Sequence, residues 1–216
     1  MRRSILFLPV LFIAFYSFAQ KPKSYSSSDI ALKLDKLNVL GTVLYIAAHP
    51  DDENTRLITY LANEKKLYTG YFSFTRGDGG QNLIGPEIQD QLGVIRTQEL
   101  LEARKIDGGV QFFSRAKDFG YSKHPDETFN IWDKKKVLGD LVWIIRTFRP
   151  DVIVNRFNVK PGETHGHHTA SAILAQEAFK LAADPKSYPE QLEHVSTWQP
   201  KAIYWNTYWW RSPEGL

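Results

Sequence analysis

A chain of 216 residues is long enough for one sizeable core, and one domain is expected. Hydrophobic residues at 43% and charged residues at 24% exclude a disordered chain. Cysteine is absent, which excludes disulfides, thiolate metal ligands and a cysteine-linked lipid anchor.

The first twenty residues, MRRSILFLPVLFIAFYSFAQ, carry two arginines, an apolar run from Ile5 to Phe15, and then Tyr16 to Ala19. That order matches a secretory signal peptide over residues 1–19, and the apolar run is short for a bilayer-spanning anchor. Its removal takes away Arg2 and Arg3 and lowers the formal charge from +3 to +1. A nearly neutral mature chain gives no reason to expect a nucleic-acid partner. The expected location is exported, periplasmic or secreted, with no stable membrane anchor after cleavage. Residues 20–40, beginning with the Ser-rich KPKSYSSS, read as a tether and lead-in, and residues 41–216 as the functional domain.

Beyond the tether, strands and helices alternate. Val43 to Ala47 is an apolar strand of the buried type, and Leu57, Ile58, Leu61 and Ala62 give helical spacing over 55–66. Residues 70–75 predict a second strand, 77–85 a Gly/Asn/Asp loop, 92–106 a helix and 110–113 a third strand. A long polar loop is expected over 114–130, then a helix over 134–148 stopped by Arg149-Pro150. Asp151 to Asn155 holds the fourth strand, 170–183 the last helix and 202–205 a fifth strand. The alternation predicts a Rossmann-like α/β fold, a mostly parallel sheet with helices on both faces and its site beyond the carboxyl ends of the strands.

Two clusters fall at such ends. AHPDDE leaves the first strand, and Pro50 fixes its own φ and holds His49 extended. The turn that follows brings His49 towards one of Asp51 and Asp52, although a helix-capping role for either acid is the simpler alternative. THGHHTAS, Thr164 to Ser171, follows the fourth strand; His165 and His168 share one side of a helical turn, and His167 is expected to point elsewhere. Two His and one Asp with open positions suit Zn²⁺, which activates a water and polarises a carbonyl oxygen. The same set serves non-haem Fe²⁺, so iron stays open as an alternative.

AHPDDE, TRGDGG, RTQEL and HGHH together resemble the PIG-L/LmbE-like de-N-acetylases from about Leu44 to Ala183. The resemblance implies a Rossmann-like fold and Zn²⁺-dependent hydrolysis of N-acetyl groups, usually on glucosamine. Carried over by motif, it implies His49, Asp52 and His168 as metal ligands and Asp51 as general base. His165 corresponds to the histidine that stabilises the oxyanion or donates a proton. Arg96 matches an arginine set against the sugar or its aglycone, with a helix-surface pair to Glu99 or Glu102 as its alternative. Asp118 stands where an acid contacts a sugar hydroxyl. Glu53 reads as a helix-start acid.

The second cluster departs from the family's H-P-D-H, because Gly166 and His167 replace Pro and Asp. KHPDETF, residues 123–129, repeats part of the first motif without a strand before it and reads as a loop near the pocket mouth. Trp205, Tyr208, Trp209 and Trp210 read as packing on a sheet edge, with sugar stacking as the alternative. The end at RSPEGL, soon after the fifth strand, suggests that further chain or a partner covers these aromatics. The expected function is removal of acetyl from an N-acetylglucosamine-type sugar or conjugate. A metal-dependent amidase or esterase on a non-sugar substrate and a non-catalytic glycan-binding module are the alternatives.

Overall fold

The computed structural model describes residues 24–207. The expected signal peptide and Tyr208, Trp209 and Trp210 lie outside the described residues. The chain divides into two compact units, 1–34 and 35–216. Helix α1 (Ser27–Lys36) begins in the first, where a plain tether was expected. The signal was readable: Ser26 Oγ accepts from the Asp29 amide at 3.2 Å while Asp29 Oδ2 accepts from the Ser26 amide at 2.9 Å, a reciprocal cap. Among the described residues no helix is long and apolar enough to cross a membrane.

The second unit is built on β1 (Thr42–Ala47), β2 (Tyr68–Ser73), β3 (Val110–Phe113), β4 (Val152–Asn155) and β5 (Ala202–Trp205). They form one sheet in the order β3-β2-β1-β4-β5, and every neighbouring pair is parallel. Between them run α2 (Thr55–Thr59, continued by a π turn to Glu64), α3 (Asp90–Asp107), α4 (Pro125–Ile131), α5 (Lys134–Phe148) and α6 (Gly166–Leu181).

Successive residues of β1 point to opposite faces of the sheet, and each face has its own core. Leu44 and Ile46 pack with Leu141, Ile145 and Leu174 of α5 and α6. Tyr45 and Ala47 pack with Ile58 and Leu100 of α2 and α3. Helices therefore cover both faces, as the alternating sequence predicts. Chain direction across the sheet reverses between β1 and β4, the point where parallel α/β sheets open a crevice beyond the strand ends. Ile46 is in register with Asn155, so both strands deliver their loops to that crevice at one level.

The loop expected over 114–130 contains α4. His124 is its N-cap, Pro125 sits in the first turn, and Asp126 and Glu127 face the positive end of the dipole. KHPDETF is thus a helix start. The last long helix begins at Gly166, earlier than its apolar periodicity suggested, so the HGHH cluster lies in the cap and first turn of α6.

Candidate metal and catalytic site

Beyond β1 the chain closes a tight turn on itself. Asp52 Oδ2 accepts from the His49 amide at 2.7 Å and stands 3.1 Å from His49 Nδ1. The Tyr71 hydroxyl, from β2, donates to the His49 carbonyl. Asp51 sits at φ 93°, a left-handed conformation uncommon for a residue with a side chain. Its amide is tied to Glu53 Oε2 at 3.0 Å. Glu53 stands directly before the cap of the next helix, but its side chain is 4% exposed, and Oε1 accepts from Arg104 Nη2 at 3.1 Å. Arg104 also binds Asp107 and Gln111, so a buried polar network anchors the turn from α3. The cap of α2 is Asn54, whose side chain accepts from the Leu57 amide, which leaves Asp51 and Asp52 free of that duty.

The crevice brings the two clusters together. Asp52 lies between His49 and His168, with Oδ1 3.4 Å from His168 Nε2. Phe157 stacks on the His168 ring at 3.8 Å and 4°, fixing its plane. Burial opposes charge on Asp52, but hydrogen bonds from His168 and His49 outweigh it and hold the carboxyl well below its usual range. Burial likewise opposes a charged His49, but Asp52, Asp118 and Asp51 raise its pKa.

One donor atom from each of His49, Asp52 and His168 lies within 4.8 Å of the other two. Ligands at about 2.0–2.1 Å around a tetrahedral Zn²⁺ stand roughly 3.3 Å apart. One Asp52 oxygen is 3.1 Å from His49 Nδ1 and the other 3.4 Å from His168 Nε2, and the two imidazoles and the carboxylate fit zinc in number and chemistry. When bound, such an ion polarises a carbonyl oxygen and makes a water more acidic.

Asp51 points away from this set to the exposed rim and pairs with Arg96 Nη2 at 2.8 Å. Arg96 also meets the Pro50 carbonyl at 2.8 Å and Glu99 at 3.1 Å. It thus joins the first motif as well as its own helix surface. Partial desolvation by the turn and the neighbouring Asp52 raise the Asp51 pKa against the pull of Arg96, although the carboxylate reaches the open rim. Beside Arg96 a cavity of about 380 Å³ is lined by Asn82, Leu83, Ile84 and Glu99.

His165 is the N-cap of α6, and its Nδ1 accepts from the His167 amide at 3.0 Å. A neutral His165 therefore carries its proton on Nε2. Burial, then the charges of His49 and His168, push its pKa down to about 4, so the ring is neutral near pH 7. Asp118 is buried, 6% exposed. The TRGDGG loop holds it there. Asp78 Oδ1 accepts from the Asp118 amide at 3.2 Å, and a Cβ at Gly79 would come within 2.6 Å of the Asp118 backbone. Its carboxylate lies 4.0 Å from His49 Nε2 and 3.9 Å from His167 Nε2.

His167 does not point elsewhere. It is fully buried, with its ring 5.2 Å from His49 and 4.6 Å from His165. Its position depends on the other departure from H-P-D-H. The Gly166 amide donates to the Ser122 carbonyl at 2.7 Å, and a Cβ at 166 would lie 2.5 Å from Ser122 Oγ. Ser122, brought this close, bonds His167 Nδ1 at 2.8 Å. A proline at 166 would lose that N–H and collide with the loop. Gly166, His167 and Ser122 are one interlocked set.

Fold and site define a parallel α/β protein with a His/Asp cluster at the switch point between β1 and β4. The family model described as GlcNAc-PI de-N-acetylase (PIG-L) matches residues 44–179, and the chain belongs to that family. A mycothiol S-conjugate amidase of Streptomyces coelicolor is 29% identical over 178 residues, covering 76% of this chain and 60% of the relative. A 1D-myo-inositol 2-acetamido-2-deoxy-alpha-D-glucopyranoside deacetylase of Streptomyces avermitilis is 29% identical over 182 residues, with the same coverage of 76% and 60%. The chain thus spans 60% of the length of each. Among solved structures, the N,N'-diacetylchitobiose deacetylase of Pyrococcus horikoshii superposes with a TM-score of 0.60 at 19% identity, covering 85% of this chain and 70% of that one. GalB, the 4-carboxy-2-hydroxymuconate hydratase of Pseudomonas putida, superposes at 0.56 and 20% identity, covering 73% and 62%. These two likenesses show the fold, which hosts more than one reaction.

Proposed function

We propose that the chain is an exported, zinc-dependent hydrolase that removes the N-acetyl group from an N-acetylglucosamine-type sugar or its conjugate. The observation that carries this reading is Asp52 held between His49 and His168 with a second carboxylate, Asp51, on the preceding residue. Family membership and the deacetylase and amidase relatives support the hydrolytic class.

In this reading His49, Asp52 and His168 would hold Zn²⁺, which when bound would polarise the acetamide carbonyl. Asp51, once turned from Arg96 towards this set, takes a proton from the attacking water, and its raised pKa keeps it a useful base. His165 donates from Nε2 to the carbonyl oxygen as negative charge builds there. The C–N bond then breaks, and the proton held by Asp51 passes to the leaving amine, giving acetate and the free amino sugar. Arg96 and the cavity beside it take the remainder of the substrate.

Acetate release from a panel of N-acetylated sugars, with and without chelator, tests the reading. Turnover is expected on glucosamine derivatives, abolished by the chelator and restored by Zn²⁺. Asp51→Asn is expected to lose about 10²–10⁴-fold in rate while keeping its zinc. Unchanged turnover in that variant would overturn the mechanism, and release only from non-sugar amides or esters would overturn the substrate class. No bound zinc and no acetate release would favour a glycan-binding module.

A further inference from the structure

We propose that the first turn of α6 builds a second divalent-metal site, in which His49, His165 and His167 supply ring nitrogens and Asp118 a carboxylate oxygen, beside the His49/Asp52/His168 set. His167 is the reason to look for it. The ring is 0% exposed, and Nδ1 is committed to Ser122 at 2.8 Å. Nε2 is buried and finds no hydrogen-bond partner among the described residues. An unpaired buried nitrogen is costly, and this one is aimed at other ligand-type groups.

One nitrogen from each of His49, His165 and His167 lies within 4.8 Å of the other two. Asp118 stands 3.9 Å from His167 Nε2 and 4.0 Å from His49 Nε2, too far for hydrogen bonds. Donors on a shared tetrahedral ion sit roughly 3.3 Å apart, so modest ring rotations close the set. Imidazole and carboxylate select a borderline cation such as Zn²⁺.

The two nitrogens of His49 serve opposite sides. Nδ1 faces Asp52 at 3.1 Å, and Nε2 faces Asp118. With both sites filled, the His49 ring bridges the two ions, and its N–H proton is released to solvent. The site follows from the substitution at 167: an aspartate there offers no ring nitrogen, and Gly166 and Ser122 are what hold the histidine in place. Occupancy would also claim His165. The second ion is therefore expected to inhibit, and only that consequence rests on the function proposed above.

Metal counting tests the site. The full chain, stripped with chelator, is titrated with Zn²⁺ and read by native mass spectrometry. Wild type is expected to take two ions and His167→Asp one. Because a buried aspartate there could unfold the chain, His167→Asn serves as a second variant and is also expected to take one. Titration with Co²⁺ gives a second readout, in which the visible absorption of the second equivalent disappears in both variants. One ion in wild type, or two in both variants, would overturn the proposal. Two ions without acetate release would sink the proposed function and leave the site standing; one ion with acetate release would do the reverse.

Discussion

Glu53→Gln tests whether the buried network behind the first motif holds the His49–Asp52 turn in its strained shape. Both carboxylate oxygens of Glu53 accept, Oε1 from Arg104 at 3.1 Å and Oε2 from the Asp51 amide at 3.0 Å. A glutamine keeps one acceptor and gains an NH₂, so either rotamer sets a donor against a donor. Arg104 retains Asp107 at 2.6 Å, so its charge stays compensated and the full penalty of a broken buried pair does not apply. The loss is that of a charge-assisted hydrogen bond plus one unsatisfied donor, about 2–3 kcal/mol, or roughly 30- to 160-fold in the folding constant. Asp51 at φ 93° also loses the bond that stabilises its left-handed backbone. Urea unfolding of the metal-free protein measures the first effect, and acetate release by the zinc-loaded protein measures the second. A midpoint and a rate both equal to wild type would refute the argument that this network supports the turn.

Arg146, 1% exposed, spends its guanidinium on the carbonyls of Leu181, Ala182, Asp184, Ser187 and Tyr188 and on Gln191. Arg146→Met is expected to cost about 3 kcal/mol or more by stranding those carbonyls, read as a lower urea midpoint. Burial, followed by the charges of His49 and His165, pushes the His167 pKa down to about 2. The unfolded chain then binds the extra proton below about pH 6.5, so stability is present above that pH and is lost as pH falls towards the folded value. Between pH 7 and 5 this amounts to about 2 kcal/mol, and His167→Asn in the metal-free protein should show a pH dependence smaller by that amount; equal slopes would refute it. Gly166→Ala is expected to unseat the loop at Ser122 and lower zinc affinity through the displaced first turn of α6, measured by competition with a chelating dye.

The inner strands were legible because parallel strands buried on both faces read as short apolar runs, and the partly buried edge strands β3 and β5 because their aromatic runs stand alone between turn signals. Helix α4 was missed although His124-Pro125-Asp126-Glu127 is a cap, a first-turn proline and two first-turn acids. The letters it shares with the first motif mask that plainer meaning. His167 was misplaced because the three-residue spacing was applied as if His165 were inside the helix. As the N-cap, His165 stands outside the helical turn, and a residue two further on reaches the same pocket. The pairing of Glu53 with Arg104 and of Arg96 with Asp51 had no local signal, since each joins residues brought together only by the sheet and α3.

The interlock of Gly166, Ser122 and His167 also restricts how this chain could have diverged. Starting from H-P-D-H, a histidine at 167 without Ser122 within reach would be a buried ring with neither nitrogen bonded. Ser122 cannot come that close while a proline ring occupies 166. The smaller residue at 166 therefore has to arrive first, as a step that opens space before anything uses it. In the opposite direction, restoring the aspartate alone would leave it buried against Phe119 and Trp132, the aromatic rings that now pack around the imidazole. Laboratory evolution between the two patterns should accumulate changes in that order.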